Sequence, residues 1–317
     1  MLMKIDDSLM DAPLFDAPLI DNSLIYNLTI KLNLFIKIVK ACRLMKEPII
    51  AKHIWITGAG SGIGKSLALA YAKAGNRVVI TGRDKGKLDQ VAAIYPDKIT
   101  VLVWDVTDDQ SADAVRAALK VRLGWLDIAI FNAGHCEYTD GTHLDTNSFR
   151  RVYGVNVFGI VNGISVAMPL LKALNEQQDL SQPKSDAITR SRGQIVGVGS
   201  LSAMIGMPTA ESYGSSKAAA NYLLEAFRID VAGQGIDVSV VNPGFVETPM
   251  TATNQFPMPF LMDADAAAKR IIKGIDARRH KIQFPKRLHW ILAFMACFPS
   301  LWFRINRAIL ARSTPKT

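Results

Sequence analysis

The sequence predicts an α/β fold: a single domain built on a doubly wound parallel sheet with helices on both faces. Three observations carry that reading. Apolar, β-branched runs alternate with helical patterns from residue 52 onward. Those runs are apolar throughout rather than at every second position, as strands buried on both faces must be. A glycine-rich turn joins the first run to the first helical pattern. With 317 residues, 49% of them apolar, the chain can bury a large core.

The expected strands are "HIWIT" (53–57), "RVVIT" (77–81), "ITVLVW" (99–104), "LDIAIF" (126–131), "GQIVGVG" (193–199) and "DVSVVN" (237–242). Between them, "GKSLALAYAKAG", "KLDQVAAIY" and "SADAVRAALKVRL" repeat apolar residues at three and four, the period of a helix with one buried face. Residues 174–193 are polar and aperiodic and read as a surface loop. The start of the chain fits no targeting pattern: "MKIDDSLMDAPLFDAPLID" carries five aspartates where a secretory signal needs a basic start and an apolar core. "LTIKLNLFIKI" alternates with a strand-like period, but nothing obvious follows to pair with it. A compact domain can begin at Met45, so residues 1–45 read either as translation from an upstream start codon or as a peripheral appendage. The domain is expected over 46–285, with a basic, apolar tail over 286–317.

The formal charge is +9, but twelve of the basic residues lie from Lys269 onward against one acid, Asp276. The rest of the chain holds 25 basic and 27 acidic residues and is close to neutral. A nucleic-acid binder would set aromatic platforms or a recognition helix beside its basic residues; the tail carries an apolar block instead, so that partner is excluded. Cys42, Cys136 and Cys297 have no paired spacing, which argues against a disulfide framework or a zinc site and for reduced thiols in the cytoplasm. The few histidines show no ligand spacing. His135 and His143 read as rim or loop residues, and no metal is expected.

The chemistry begins at "TGAGSGIGKS", where Gly58, Gly60, Gly62 and Gly64 lead from a strand into a helix. Glycine lets the backbone turn tightly and approach a pyrophosphate, and the helix start offers free N–H groups. At the end of the second strand, "VVITGRDKGKL", Gly82 leaves empty the position of the acidic residue that would hold a ribose hydroxyl. Arg83 follows and can clamp a phosphate with parallel hydrogen bonds, which favours NADP over NAD, although neighbouring Asp84 offsets part of the charge. In "ESYGSSKAAA", Tyr213 and Lys217 stand four apart on one helix face, where a lysine lowers the pKa of a phenol. Reduction of a carbonyl needs a donor to hold its oxygen and an acid to protonate it.

Taken in order, TGxxxGxG at 57–64, "WDVTD" at 104–108, "FNAG" at 131–134, Asn156 in "GVNVFG", Ser200 in "GVGSLSA", YxxxK at 213–217 and "NPGFVETPM" at 242–250 resemble the short-chain dehydrogenase/reductases. The resemblance implies a Rossmann fold and an NADP-dependent oxidoreductase that interconverts a carbonyl and an alcohol by hydride transfer. It implies that Tyr213 is the acid/base, that Lys217 lowers its pKa and holds the nicotinamide ribose, that Ser200 orients the carbonyl, and that Asn156 holds a relay water. It further implies cofactor contacts from Gly58, Ser61, Gly62, Ile63 and Gly64, from Arg83, from Asp105 and Val106 at the adenine, from Asn132, Ala133 and Gly134, and from Pro243, Gly244, Val246 and Thr248. The departures are Gly199, where a second serine is common, Phe131 in place of a frequent asparagine, and the long loop at 174–193. The alternative from another class, a nucleotide-sensing or scaffold protein of the same fold, would be marked by a broken tyrosine, lysine or serine, and none is broken.

Family members often form dimers or tetramers, so a homo-oligomer is expected. The small-molecule substrate itself is not legible. "GFVETPMTATNQFPMPFLM", rich in Phe, Met and Pro, suits either a lipophilic substrate or a plain lid. In the tail, the 14 residues Trp290–Phe303 are mostly apolar and include Pro299, short of the ~20 that a spanning helix needs. Arg287, His289, Arg304, Arg307 and Arg312 flank the block, and Trp290 and Trp302 stand near its two ends, which predicts a peripheral position on the inner face of an anionic membrane. Packing on the domain or on a second subunit is the alternative.

Overall fold

The computed structural model describes residues 51–177, 193–254 and 256–313. Seven parallel strands form one sheet in the order β3-β2-β1-β4-β5-β6-β7: β1 (His53–Thr57), β2 (Arg77–Gly82), β3 (Ile99–Val103), β4 (Ile128–Phe131), β5 (Gly193–Val198), β6 (Ile236–Pro243) and β7 (Lys281–Phe284). Nine helices are seen among the described residues: α1 (Gly62–Lys73), α2 (Lys85–Ala92), α3 (Ala112–Leu123), α4 (Thr146–Tyr153), α5 (Gly159–Gln177), α6 (Glu211–Asp230), α7 (Ala264–Asp276), α8 (Lys286–Ala296) and α9 (Pro299–Ser313). Every residue of β1 and β5 is buried, which explains their unbroken apolar character.

Successive residues of β1 face opposite layers. Ile54 and Ile56 join Leu67, Tyr71 and Ile271 under α1 and α7, while Trp55 joins Leu119, Phe131, Leu171 and Leu224 under α3, α5 and α6. The residues at the two sequence departures fit this packing. A Cβ on Gly163 of α5 would come within 2.5 Å of the Phe131 ring, so the glycine makes room for the phenylalanine. A Cβ on Gly199 would lie 2.2 Å from Asn242 Oδ1 and 2.3 Å from Asn221 Oδ1, so a serine does not fit there as the neighbours stand.

The doubly wound sheet is as expected, with differences at its margins. β7 was not legible: its four residues, KIQF, follow a polar stretch and gain strand character by pairing with β6, Val240 opposite Lys281. The segment expected to be a loop at 174–193 begins inside α5, which runs to Gln177, and ends on Gly193 of β5; 178–192 lie outside the described residues. So do residues 1–50, which include the extension 1–45 and Cys42. The tail forms α8 and α9, bent by 110° at the break between them. The stretch Thr146–Leu171 is long and apolar enough to cross a membrane, yet within it lies fully buried Asn156, and its length packs on α3, α6 and the sheet.

Candidate active site

The strand order reverses between β1 and β4, and open α/β sheets bind ligands outside the carboxyl ends of the strands at such a point. There the turn after β1 meets the end of β4 at very close range. Gly58 has φ +66°, and a Cβ on it would lie 2.6 Å from Ala133 Cα. Gly64 is packed as tightly, its missing Cβ 2.5 Å from both Gly58 O and Asn132 Nδ2. Asn132 Nδ2 donates to Thr57 O (3.2 Å) and Gly58 O (3.0 Å), and Thr57 Oγ1 accepts from the backbone N of Asn132 and of Ala133 at 3.1 Å each. Asn132 thus braces the turn with its side chain. Ser61 caps α1 without a side-chain hydrogen bond, leaving the first N–H groups of that helix facing the turn.

A cleft of about 340 Å³ runs over this turn. Gly58, Ser61, Gly62 and Ile63 line its start, Arg83, Asp105 and Val106 one end, Asn132, Ala133 and Gly134 the side of β4, and Ser200, Tyr213, Lys217, Pro243, Gly244, Val246 and Thr248 the remainder. Of the expected site residues, Gly64 and Asn156 stand behind the lining rather than in it. Asp84 is committed elsewhere. Its carboxylate accepts from Lys87 N at 3.0 Å to cap α2 and pairs with Lys87 Nζ at 3.5 Å, and these contacts hold its pKa below the usual range. Arg83 is exposed and makes no ion pair among the described residues. The Asp105 carboxylate turns back onto Thr107, accepting from its N (2.9 Å) and Oγ1 (2.8 Å).

Tyr213 and Lys217 stand at the start of α6. Lys217 is buried, its Nζ donating to Val198 O at 2.9 Å and lying 5.8 Å from the centre of the Tyr213 ring. Burial lowers its pKa to about 8, with partial compensation from the Cys136 thiol. Burial also pushes the Tyr213 hydroxyl above the usual phenol range, and a hydrogen bond with Ser200 pulls it partly back. That direction is opposite to the expected one, because loss of solvation of the phenolate outweighs an ammonium already engaged by a backbone carbonyl. Ser200 caps a short turn: its Oγ accepts from Ser202 N (3.1 Å) and Ser202 Oγ (2.9 Å), which leaves its own proton to donate.

Asn156 sits in a π-helical turn, Gly154–Phe158, between α4 and α5, a distortion common at functional sites. Its Oδ1 accepts from His135 N at 2.8 Å, and its Nδ2 donates to His135 O and to Ser216 Oγ at 2.9 Å each. The amide therefore ties the segment after β4 to α6. A carbon placed on Gly134 would be 3.4 Å from Lys217 Nζ and 3.5 Å from Asn156 Oδ1, so the bare glycine keeps the space between those two atoms open.

The sequence did not reveal Ser202 or the rim contacts. Glu137 is held down to about 2 by a two-point contact with Arg151, Nε and Nη2 both at 2.7 Å, and it also meets His135 Nε2 at 2.7 Å. His135 is thus a half-buried residue at the rim of the cleft, and His143 is exposed in the loop before α4. "SLS" around Ser200 was a usable signal for Ser202, whereas nothing local points from Glu137 to Arg151. No cluster of metal-ligating side chains is found among the described residues.

A glycine turn at the reversal of a parallel sheet, beside a buried lysine, a tyrosine and a serine, defines the class: an oxidoreductase on a doubly wound sheet. The chain belongs to the short-chain dehydrogenase family, whose sequence model matches residues 52–257. It is 34% identical over 240 residues, 74% of this chain and 87% of the other, to an uncharacterized oxidoreductase of Myxococcus xanthus. An uncharacterized oxidoreductase of Staphylococcus aureus is 26% identical over 226 residues, 71% of this chain and 91% of the other. Among solved structures, a 3-ketoacyl-(acyl-carrier-protein) reductase from Brucella melitensis, complexed with NADH, superposes with a TM-score of 0.65 at 27% identity, covering 74% of this chain and 96% of that one. A short-chain dehydrogenase from Streptomyces avermitilis shares the fold with a TM-score of 0.67 at 23% identity, covering 84% of this chain and all of the other.

Proposed function

We propose that the protein is an NADP-dependent oxidoreductase that interconverts a carbonyl and an alcohol, with Ser200, Tyr213 and Lys217 as the catalytic residues. The observation that carries this is their meeting in one cleft with the glycine turn. Gly58, Ser61, Gly62 and Ile63 would hold the pyrophosphate, Val106 the adenine, and Lys217, Val246 and Thr248 the nicotinamide end. The bound cofactor supplies or accepts the hydride. Ser200 donates its remaining proton to the substrate oxygen and so orients it. As charge develops on that oxygen, Tyr213 delivers a proton, and the nearby Lys217 ammonium favours the phenolate left behind. Asn156 Oδ1 and Lys217 Nζ border the open space over Gly134, which supports a relay water there. Arg83, with Asp84 turned into a helix cap, supports recognition of a ribose phosphate and hence NADP.

The test is NADPH and NADH oxidation by the full chain across aldehydes, ketosteroids, acyl carbonyls and sugars, with Tyr213→Phe alongside. Turnover lost in the variant supports the assignment, and equal turnover in both overturns it. Cofactor binding without turnover on any substrate leaves the sensing or scaffold reading.

The tail reading is likewise a proposal: α8 and α9 lie on an anionic membrane surface. In support, Trp290, Ile291, Phe294, Phe298, Leu301 and Phe303 are exposed while Leu288 and Leu292 are buried. The helices are 11 and 15 residues long and bent by 110°, so neither reaches the ~20 residues of a straight span. Arg287, Arg304 and Arg307 are exposed around the apolar face, whereas His289 is half-buried, and the Arg312 side chain lies outside the described residues. The free thiols of Cys136 and Cys297 support a reducing, cytoplasmic location. Exposed Phe158 and Val161 near the start of α5, with Tyr222 and Ile229 on α6, support a homo-oligomer.

A further inference from the structure

Beside the cofactor cleft lies a second cavity, of about 560 Å³, and the two share Ser200, Tyr213, Gly244, Met250 and Thr251 in their walls. Its volume lies within the ~300–1,000 Å³ of pockets that enclose a whole small molecule. No charged side chain among the described residues lines it. Phe245 and Phe256 stand in one wall, their rings 6.0 Å apart, and Phe256 also meets the Tyr138 ring at 5.6 Å. Another wall is the tail itself: Leu288 and Leu292 of α8, and Trp302 and Asn306 one turn apart on α9.

The tail is fastened to the site at two points. Trp302 Nε1 donates to Gly206 O at 2.6 Å, just past the Ser200 turn. A Cβ on Gly244 would lie 2.9 Å from Pro285 Cδ and 3.0 Å from Leu288 Cδ2, so the start of α8 is packed directly against the loop after β6. Leu288, Leu292 and Leu201 form a buried cluster with Met204, Met207, Phe245 and Trp302 around it. The tail is therefore part of the catalytic domain's working surface, and its two faces do different things: one closes the cavity, the other is the exposed apolar face.

Resting on the oxidoreductase reading, we infer that the substrate is an uncharged lipophilic carbonyl or alcohol whose hydrocarbon portion lies in this cavity, with Asn306 and Trp302 of α9 setting how long that portion can be. A carboxylate or phosphate placed there would lose water without gaining a charged partner, whereas a hydrocarbon loses nothing. The apolar outer face of the same helices sets the cavity next to a surface where such a compound would partition.

The experiment measures kcat/KM of the full chain with NADPH for methyl ketones of four to twelve carbons. The expected result is a rise of at least about tenfold across the series as methylenes are buried. Asn306→Trp, which fills the cavity from α9, should lower the ratio of kcat/KM for the twelve-carbon to the four-carbon ketone at least about tenfold relative to the wild type. Asn306→Leu, of similar volume, should keep the wild-type profile. A flat profile in the wild type, or one that Asn306→Trp does not shorten, overturns the inference while leaving the oxidoreductase reading in place. If no ketone is turned over, the oxidoreductase reading is decided by the wider carbonyl panel and Tyr213→Phe, and the cavity is decided by binding: dodecan-2-ol should displace Nile red from the wild type and not from Asn306→Trp. Absence of displacement from the wild type overturns the inference.

Discussion

At the scale of single residues, the site depends on how burial and hydrogen bonding divide the work between Ser200, Tyr213 and Lys217. Tyr213→Phe removes only the hydroxyl, so the ring packing stays. Turnover should fall by about 10²–10⁴-fold with NADPH affinity unchanged, read by steady-state kinetics and fluorescence titration. Lys217 carries a separate signature. Its folded-state pKa, about 8, lies below its ordinary value, so above that pH the unfolded chain binds the extra proton and stability rises with pH. Urea unfolding between pH 8 and 9.5 should show that rise in the wild type and not in Lys217→Met. Arg83→Asp replaces a cation with a carboxylate that can accept ribose hydroxyls, and should reverse the ratio of NADPH to NADH affinity. An unchanged ratio would move selectivity to another residue. The sequence singled out all three of these residues by local pattern, but for Tyr213 it predicted a lowered pKa where burial raises it: the lysine was visible and the desolvation was not.

At the scale of elements, the turn from β1 into α1 is the most constrained part of the site. Gly58 combines a positive φ with a missing Cβ 2.6 Å from Ala133 Cα, so Gly58→Ala meets both backbone strain and a collision with β4's end. The strain alone is worth roughly 1–2 kcal/mol. Thermal unfolding should show at least that loss, with NADPH affinity falling in parallel because the turn and β4 separate. A variant with wild-type stability and affinity would mean that β4 yields easily. The glycine pattern made this turn legible because a left-handed residue and a strand-to-helix change are local properties. Asn156 was legible as a candidate but not in its partners, since His135 and Ser216 reach it across 21 and 60 positions of chain. β7 was missed for the same kind of reason, its strand character coming from β6.

At the scale of the whole molecule, the positive charge and the exposed apolar surface coincide on α8 and α9. If these helices meet an anionic bilayer, the full chain should co-sediment with vesicles containing phosphatidylserine at low salt and be released as salt screens the arginines. The double variant Trp290→Ser, Phe294→Ser changes two exposed side chains and leaves buried Leu288 and Leu292 in place. It should stay in the supernatant while keeping wild-type turnover of water-soluble substrates. Equal sedimentation of both proteins, or of neither, would show that the apolar face serves something other than lipid.

By itself the sequence determined the parallel sheet of alternating strands and helices, the glycine turn and the placing of Tyr213 and Lys217 on one helix face. Each of these rests on backbone conformation and side-chain period within a few residues, which any stretch of chain carries with it. Only the tertiary structure decided what surrounds them: Asn156 holding the segment after β4 to α6, Gly199 closed to any larger residue by Asn221 and Asn242, burial raising the tyrosine's pKa, and α9 standing against the segment after Ser200. Those outcomes depend on excluded volume and loss of solvation between segments far apart in the chain, as when Trp302 Nε1 meets Gly206 O across 96 positions. No local pattern encodes such distances.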